Sequence, residues 1–234
     1  MSSRPRVLVA GASGKTGREI LRLLAPRPVT VRALTRSGTR TAELEARGAD
    51  EVLVGNLFDP ADATAAVADV DVVLSAVGSD LRALRGARFV DGEGVGALVS
   101  AAADAGVRAF VMESALGVGD EPTSPLGSVF NAVIGPIQRA KAESEAALRD
   151  AAMEHTILRP GLLTGGRRTD TVQVAPPGAE LWGCVSRADV ARLMTAAPWT
   201  PAVTDRTFEV VDNPLLTGHP DRVAIDWVDG PRRP

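Results

Sequence analysis

Glycines stand at positions 11, 14 and 17, directly after the apolar run Val7–Ala10 and before a segment of helix-forming residues. In that order the first glycine permits a tight turn. The second lets backbone N–H groups approach a phosphate, and the third lets a helix pack close to the preceding strand. The loop Gly11-Ala12-Ser13-Gly14-Lys15-Thr16-Gly17 is therefore expected to place a diphosphate on the positive end of a helix. A nucleoside-triphosphate loop is excluded. It needs a glycine five residues before Gly14, and Val9 stands there, inside the strand.

The end of the second strand should read the ribose. Folds that bind NAD place an acid there, about 20 residues beyond the glycines. No acid occurs between Glu19 and Glu43, and the strand ends Thr35-Arg36-Ser37. A guanidinium at Arg36 offers a charge-assisted, bidentate contact to a 2′-phosphate. Thr35 and Ser37 add hydroxyls, and Lys15 is within reach of the same group. NADPH is the expected cofactor.

These residues need a scaffold that buries strands on both faces. The runs Val7–Ala10, Val29–Leu34, Glu51–Val54, Val70–Ala76, Arg108–Met112 and Thr156–Leu158 are apolar almost throughout. Amphipathic stretches near 15–25, 40–48, 60–68, 88–105 and 137–153 alternate with them. The pattern predicts an α/β fold, a Rossmann-like doubly wound parallel sheet. The 234 residues are expected to form one domain, whose part after about residue 161 makes a small C-terminal cap or sheet extension. In it, Ser186-Arg187-Ala188-Asp189 reads as a capping box opening a helix over Ala188–Ala197. Thr207–Val211 reads as a strand, and Val223–Val228 is a candidate for another. The Gly-, Pro- and Ser-rich stretch 115–136 reads as a flap at the carboxyl edge of the sheet.

Composition narrows the partners. With 26 basic and 29 acidic residues the formal charge is −3, which gives no reason to expect nucleic acid or an anionic membrane. The first apolar run is too short for a signal-peptide core, and no membrane span is expected. Cys184 is the single cysteine, which excludes an intrachain disulfide and paired cysteine ligands for zinc. No metal site is expected, and a cytoplasmic location is.

The segment from Val7 to Gly17, with Thr35-Arg36, resembles the atypical short-chain dehydrogenase/reductases, in particular their NmrA-like and biliverdin-IXβ/flavin-reductase-like branch. Gly55-Asn56-Leu57-Phe58-Asp59, the segment Glu113–Asp120, and Thr156–Thr164 resemble further motifs of that family. The likeness covers about residues 5–195. It implies that Gly11 to Gly17 and Arg36 hold phosphates, and that Asn56 and Leu57 flank the adenine, although the family usually has Asp at position 56. It also implies that Ala76, Val77 and Gly78 line the cofactor, that Pro160, Gly161 and Leu162 touch the nicotinamide, and that Lys141 binds the nicotinamide ribose.

Members of that family typically carry a tyrosine four residues before the lysine. That position is Ile137, and the chain contains no tyrosine at all. Ser114 keeps a hydroxyl near the expected hydride path, either to orient a substrate carbonyl or as a turn serine. His155 begins the sixth strand and should lie more than about 10 Å from the nicotinamide, at roughly 3.3 Å per residue. His219 lies in the tail beyond the assignable fold. A ketone acceptor needs a proton donor, whereas a reduced quinone or flavin is a delocalised anion that solvent can protonate. The expectation is an NADPH-dependent reductase of a quinone, flavin or polycyclic aromatic, its ring covered by Leu126, Val129, Phe130, Val133 and Ile134. A non-catalytic redox sensor of the NmrA type stays open beside it. A sugar-nucleotide epimerase fits less well, because it needs the tyrosine.

Overall fold

A strand with no polar side chain to turn outward is stable only when both its faces are covered. The computed structural model describes residues 4–79, 88–119, 125–169, 171–179, 181–212, 223–228 and 230, with the backbone alone over 125–133. The chain runs β1 (Arg6–Ala10), α1 (Lys15–Leu24), β2 (Thr30–Thr35), α2 (Thr41–Ala46), β3 (Glu51–Val54), α3 (Pro60–Val67), β4 (Val72–Ser75) and α4 (Val95–Asp104). It continues through β5 (Ala109–Glu113), α5 (Pro125–Asp150), β6 (Glu154–Pro160), β7 (Leu162–Thr164), β8 (Gln173–Ala175), β9 (Cys184–Ser186), α6 (Arg187–Ala196) and β10 (Arg206–Val211).

Eight strands form one sheet in the order β3-β2-β1-β4-β5-β6-β10-β8. Every neighbouring pair is parallel except β10 with β8. Alternate residues of each strand feed two cores. Val7, Val9, Val72 and Val111 pack with Ile20 and Leu21 of α1 and with Val190 and Leu193 of α6. Leu8, Val73, Phe110 and Met112 pack with Ala63 of α3, Leu98 of α4 and Leu148 of α5. The doubly wound sheet is as expected, and its order reverses direction between β1 and β4. A crevice therefore opens outside their carboxyl ends.

The tail builds sheet rather than a separate cap. β10 and β8 extend the main sheet, while β7 and β9 pair by themselves. Ser186 caps α6 as expected, its Oγ accepting from the Asp189 backbone N–H at 3.0 Å, while the Asp189 carboxylate accepts from the Ser186 hydroxyl at 2.6 Å. Three expectations are corrected. Residues 223–228 form no strand: the Val223 N–H donates to the Val174 carbonyl, and Val223, Ile225 and Trp227 pack sideways onto the first core. Residues 125–136 of the expected flap belong to α5, which starts at Pro125, and proline suits a first helical turn. Residues 120–124 lie outside the described residues. Within α5, Pro136 lacks an N–H and crowds the preceding turn, and the helix kinks at Ile134 (φ −110°, ψ 19°). Finally, the helix expected over 88–105 is a π turn, Val90–Gly94, followed by α4. Among the described residues no helix is long and apolar enough to cross a membrane.

Candidate functional site

The turn after β1 is built from backbone constraints. Gly11 adopts φ +76°, which an L side chain rarely does, and a Cβ there would sit 2.5 Å from the Ala76 carbonyl oxygen. Gly14 precedes α1 without a side-chain cap, and no acid occupies the helix's first turn. Its first N–H groups and positive dipole end are thus left for an external anion. Gly17 brings α1 onto the turn: its Cβ would lie 2.3 Å from the Gly11 carbonyl oxygen.

A cleft opens above this turn, lined by Gly11, Ser13, Gly14, Leu34, Thr35, Arg36, Gly55, Leu57, Ala76, Val77, Gly78 and Val90. Arg36 is exposed at its wall. Gly11, Ser13, Gly14, Thr35, Arg36, Leu57, Ala76, Val77 and Gly78, among the sequence-predicted cofactor residues, thus line one cavity. Its glycine cradle and bare helix end fit the diphosphate of a dinucleotide.

Several expected residues do not line it. Ala12 is fully buried, Lys15 is exposed at the start of α1, and Ser37 bonds Thr39 through their hydroxyls at 2.8 Å. Asn56 is not in the lining either. Its side-chain oxygen accepts from the Phe58 N–H at 3.2 Å, closing a local turn, and its neighbours Gly55 and Leu57 face the cleft instead. Pro160, Gly161 and Leu162 lie farther along the same sheet edge. There the Pro160 carbonyl accepts from the Leu116 N–H and the Leu162 N–H donates to Gly183. His155 lies at the opposite, amino edge beside Asp205 at 3.2 Å, as expected. His219 and the side chains of Leu126, Val129, Phe130 and Val133 lie outside the described residues.

Lys141 and Ser114 have partners that the sequence did not reveal. Lys141 Nζ lies 2.9 Å from Asp91 Oδ1. Asp91 is buried in the π turn, and its other oxygen accepts from the Ser79 N–H at 2.8 Å. A Cβ on Gly78 would lie 3.7 Å from Asp91, so the pair adjoins the cleft. An ammonium has three donors, which leaves Lys141 others for ribose hydroxyls. Ser114 donates to Glu145 at 2.5 Å. Glu145 is fully buried and also accepts from Arg159 at 3.1 and 2.7 Å and from Arg149 at 2.6 Å. A hydroxyl has one hydrogen. As placed, Ser114 can accept from a ligand but has no hydrogen to give a substrate carbonyl.

Sequence reasoning also missed Glu113. It is buried at the end of β5, where it accepts from Thr16 Oγ1 at 3.1 Å. Burial pushes its carboxyl above the ordinary range, against the pull of Lys141, the Thr16 hydrogen bond and Arg187.

A family model described as NAD(P)H-binding matches residues 11–200, from the first glycine of the loop to the end of the turn after α6. The chain belongs to this NAD(P)H-binding family. It is 31% identical to an NAD(P)H azoreductase of Xenophilus azovorans over 96% of the chain and 74% of that protein. It is 29% identical to YhfK of Bacillus subtilis, described as an uncharacterized sugar epimerase, over 88% of the chain and 94% of that protein. Its fold matches ChuY, an anaerobillin reductase of Escherichia coli O157:H7, with a TM-score of 0.76 and 25% identity, covering 89% of the chain and 98% of ChuY. The resemblance to the NmrA-like and biliverdin-reductase-like branch of the atypical short-chain dehydrogenase/reductases holds.

Proposed function

We propose that the protein is an NADPH-dependent reductase that passes hydride to a flat conjugated acceptor such as a quinone, a flavin or a polycyclic aromatic. The observation that carries this reading is the cleft itself. A cation, Arg36, lines it where an acid would select NAD, Gly78 lines it after β4, and the chain has no tyrosine. The reduced nicotinamide, when bound, supplies the hydride. The first turn of α1 holds the diphosphate, Arg36 binds the 2′-phosphate, and Lys141, fixed by Asp91, binds ribose hydroxyls. At the far end, Leu162 and Trp182 are 57% and 45% exposed, unusual for large apolar side chains. They offer a flat ring an apolar surface that excludes water. A delocalised acceptor anion takes its proton from solvent, so the missing tyrosine is no obstacle. That two relatives are described as reductases supports the same reading.

NADPH oxidation with menadione, FMN and an anthraquinone tests it, and turnover with at least one is expected. Arg36→Ala should weaken NADPH binding by about 1.5–3 kcal/mol, the scale of a charged hydrogen bond, and leave NADH unaffected. Equal losses for both nucleotides would show that Arg36 does not read the phosphate. Trp182→Ala should cost the acceptor about 1 kcal/mol, roughly fivefold in KM, with unchanged NADPH affinity. An unchanged KM for every acceptor would remove Trp182 from the site.

A second reading, NADP(H) binding without turnover, draws on the hydroxyl hydrogen that Ser114 commits to Glu145. Tight NADPH binding with no oxidation by any acceptor would favour it.

A further inference from the structure

The last residue of β5, the strand next to β4, is a buried glutamate, Glu113. In the strand order β2-β1-β4-β5, Arg36 follows β2, the glycine turn follows β1 and Gly78 follows β4. A dinucleotide laid along that edge from Arg36 reaches the end of β5 next. Glu113 is 8% exposed there, and Thr16 is its one hydrogen-bonding partner among the described residues. Thr16 belongs to the first turn of α1, the helix aimed at the diphosphate. The charged groups acting on Glu113 are Lys141 from α5 and Arg187 from α6. The flanking strands add none: Leu158 is opposite it on β6, and Ser75 on β4 pairs with the preceding Met112.

We propose that Glu113 distinguishes the oxidised from the reduced cofactor by reading the charge on the nicotinamide. This rests on the cleft being an NADP(H) site. The oxidised ring carries a positive charge and the reduced ring carries none. Burial favours the protonated carboxyl of Glu113, and a cation placed beside it favours the carboxylate. Binding of NADP⁺ therefore releases a proton from Glu113, whereas binding of the neutral reduced ring does not. By linkage, affinity for NADP⁺ rises with pH through the titration of Glu113. Titration of the 2′-phosphate is common to both nucleotides and cancels in the ratio of their affinities.

The experiment is isothermal calorimetry of the full chain with NADP⁺ and with NADPH across pH. The ratio Kd(NADP⁺)/Kd(NADPH) should fall with rising pH, by at most about tenfold per pH unit for a single proton. It should be flat in Glu113→Gln, whose amide oxygen still accepts from Thr16. Titrations of the native protein in buffers of different ionisation enthalpy read the proton directly, without a variant: release is expected with NADP⁺ only. Binding of both nucleotides without that release, or the same pH dependence in Glu113→Gln, overturns this inference alone. Failure of both nucleotides to bind overturns the reading of the cleft and the inference with it, and failure of NADP⁺ alone at every pH overturns the inference.

Discussion

Gly17→Ala is expected to destabilise the protein by about 1–3 kcal/mol and to abolish NADPH binding, although alanine is the better helix former. Gly17 lies inside α1, where propensity alone would favour alanine by about 1 kcal/mol. The added methyl would sit 2.3 Å from the Gly11 carbonyl oxygen and 2.7 Å from the Ala12 Cα. Both obstacles are backbone, so no rotamer change relieves them. Either α1 moves away from β1 or the turn opens, and both displace the N–H groups that face the diphosphate. Thermal unfolding and a fluorescence titration with NADPH check this. A raised melting temperature with intact binding would show that the loop tolerates the methyl. Gly14→Val is the informative contrast. A Cβ at Gly14 meets little beyond the Gly11 oxygen at 3.0 Å. Its loss of NADPH binding should come with a much smaller change in melting temperature, because the space that the larger side chain fills belongs to the ligand.

Glu145→Ala is expected to destabilise the fold by about 3–5 kcal/mol, the scale for removing one partner of a buried ion pair. Glu145 is fully buried on α5 and Arg159, on β6, is 2% exposed. Two hydrogen bonds join them, and Ser114 adds a third from the end of β5. Without the carboxylate, the Arg159 charge stays buried and loses its two hydrogen bonds to Glu145. Arg149 suffers less because it is partly exposed and can turn to water. For a chain of this size the loss corresponds to roughly 6–20 °C in Tm. Replacing Glu145 by Leu and Arg159 by Met together should restore much of that stability, since the buried guanidinium goes with its carboxylate and Arg149 can turn to water. A change below about 1 kcal/mol in the single variant would mean that water or another group compensates the arginine.

The two expectations differ in how visible their residues were beforehand. The glycine turn was legible because its requirements are local. A positive φ at Gly11 and the close approaches at Gly14 and Gly17 belong to a few consecutive residues, and the spacing alone displays them. Strands such as Val7–Ala10 were legible for a similar reason, because burial on both faces leaves an unbroken apolar run. Arg36 was legible by the absence of an acid around it.

Local signals also misled where tertiary packing overrode them. Residues 125–136 had a loop's composition, but they lie in α5 up to and through its proline kink. Val223–Val228 had a strand's composition, but among the described residues only its first N–H bonds a strand, at Val174 of β8.

By itself, the sequence determined the α/β class, the dinucleotide turn, the cation at the end of β2 and the missing tyrosine. Only the tertiary structure decided that Asp91 fixes Lys141, that Ser114 gives its hydrogen to Glu145 and that Glu113 meets Thr16. The physical reason is range. Backbone conformation and two-sided burial are imposed by near neighbours and leave a pattern in the chain. A buried charge instead takes its character from whichever distant strand ends and helices the sheet order brings against it, and no spacing along the chain records that meeting.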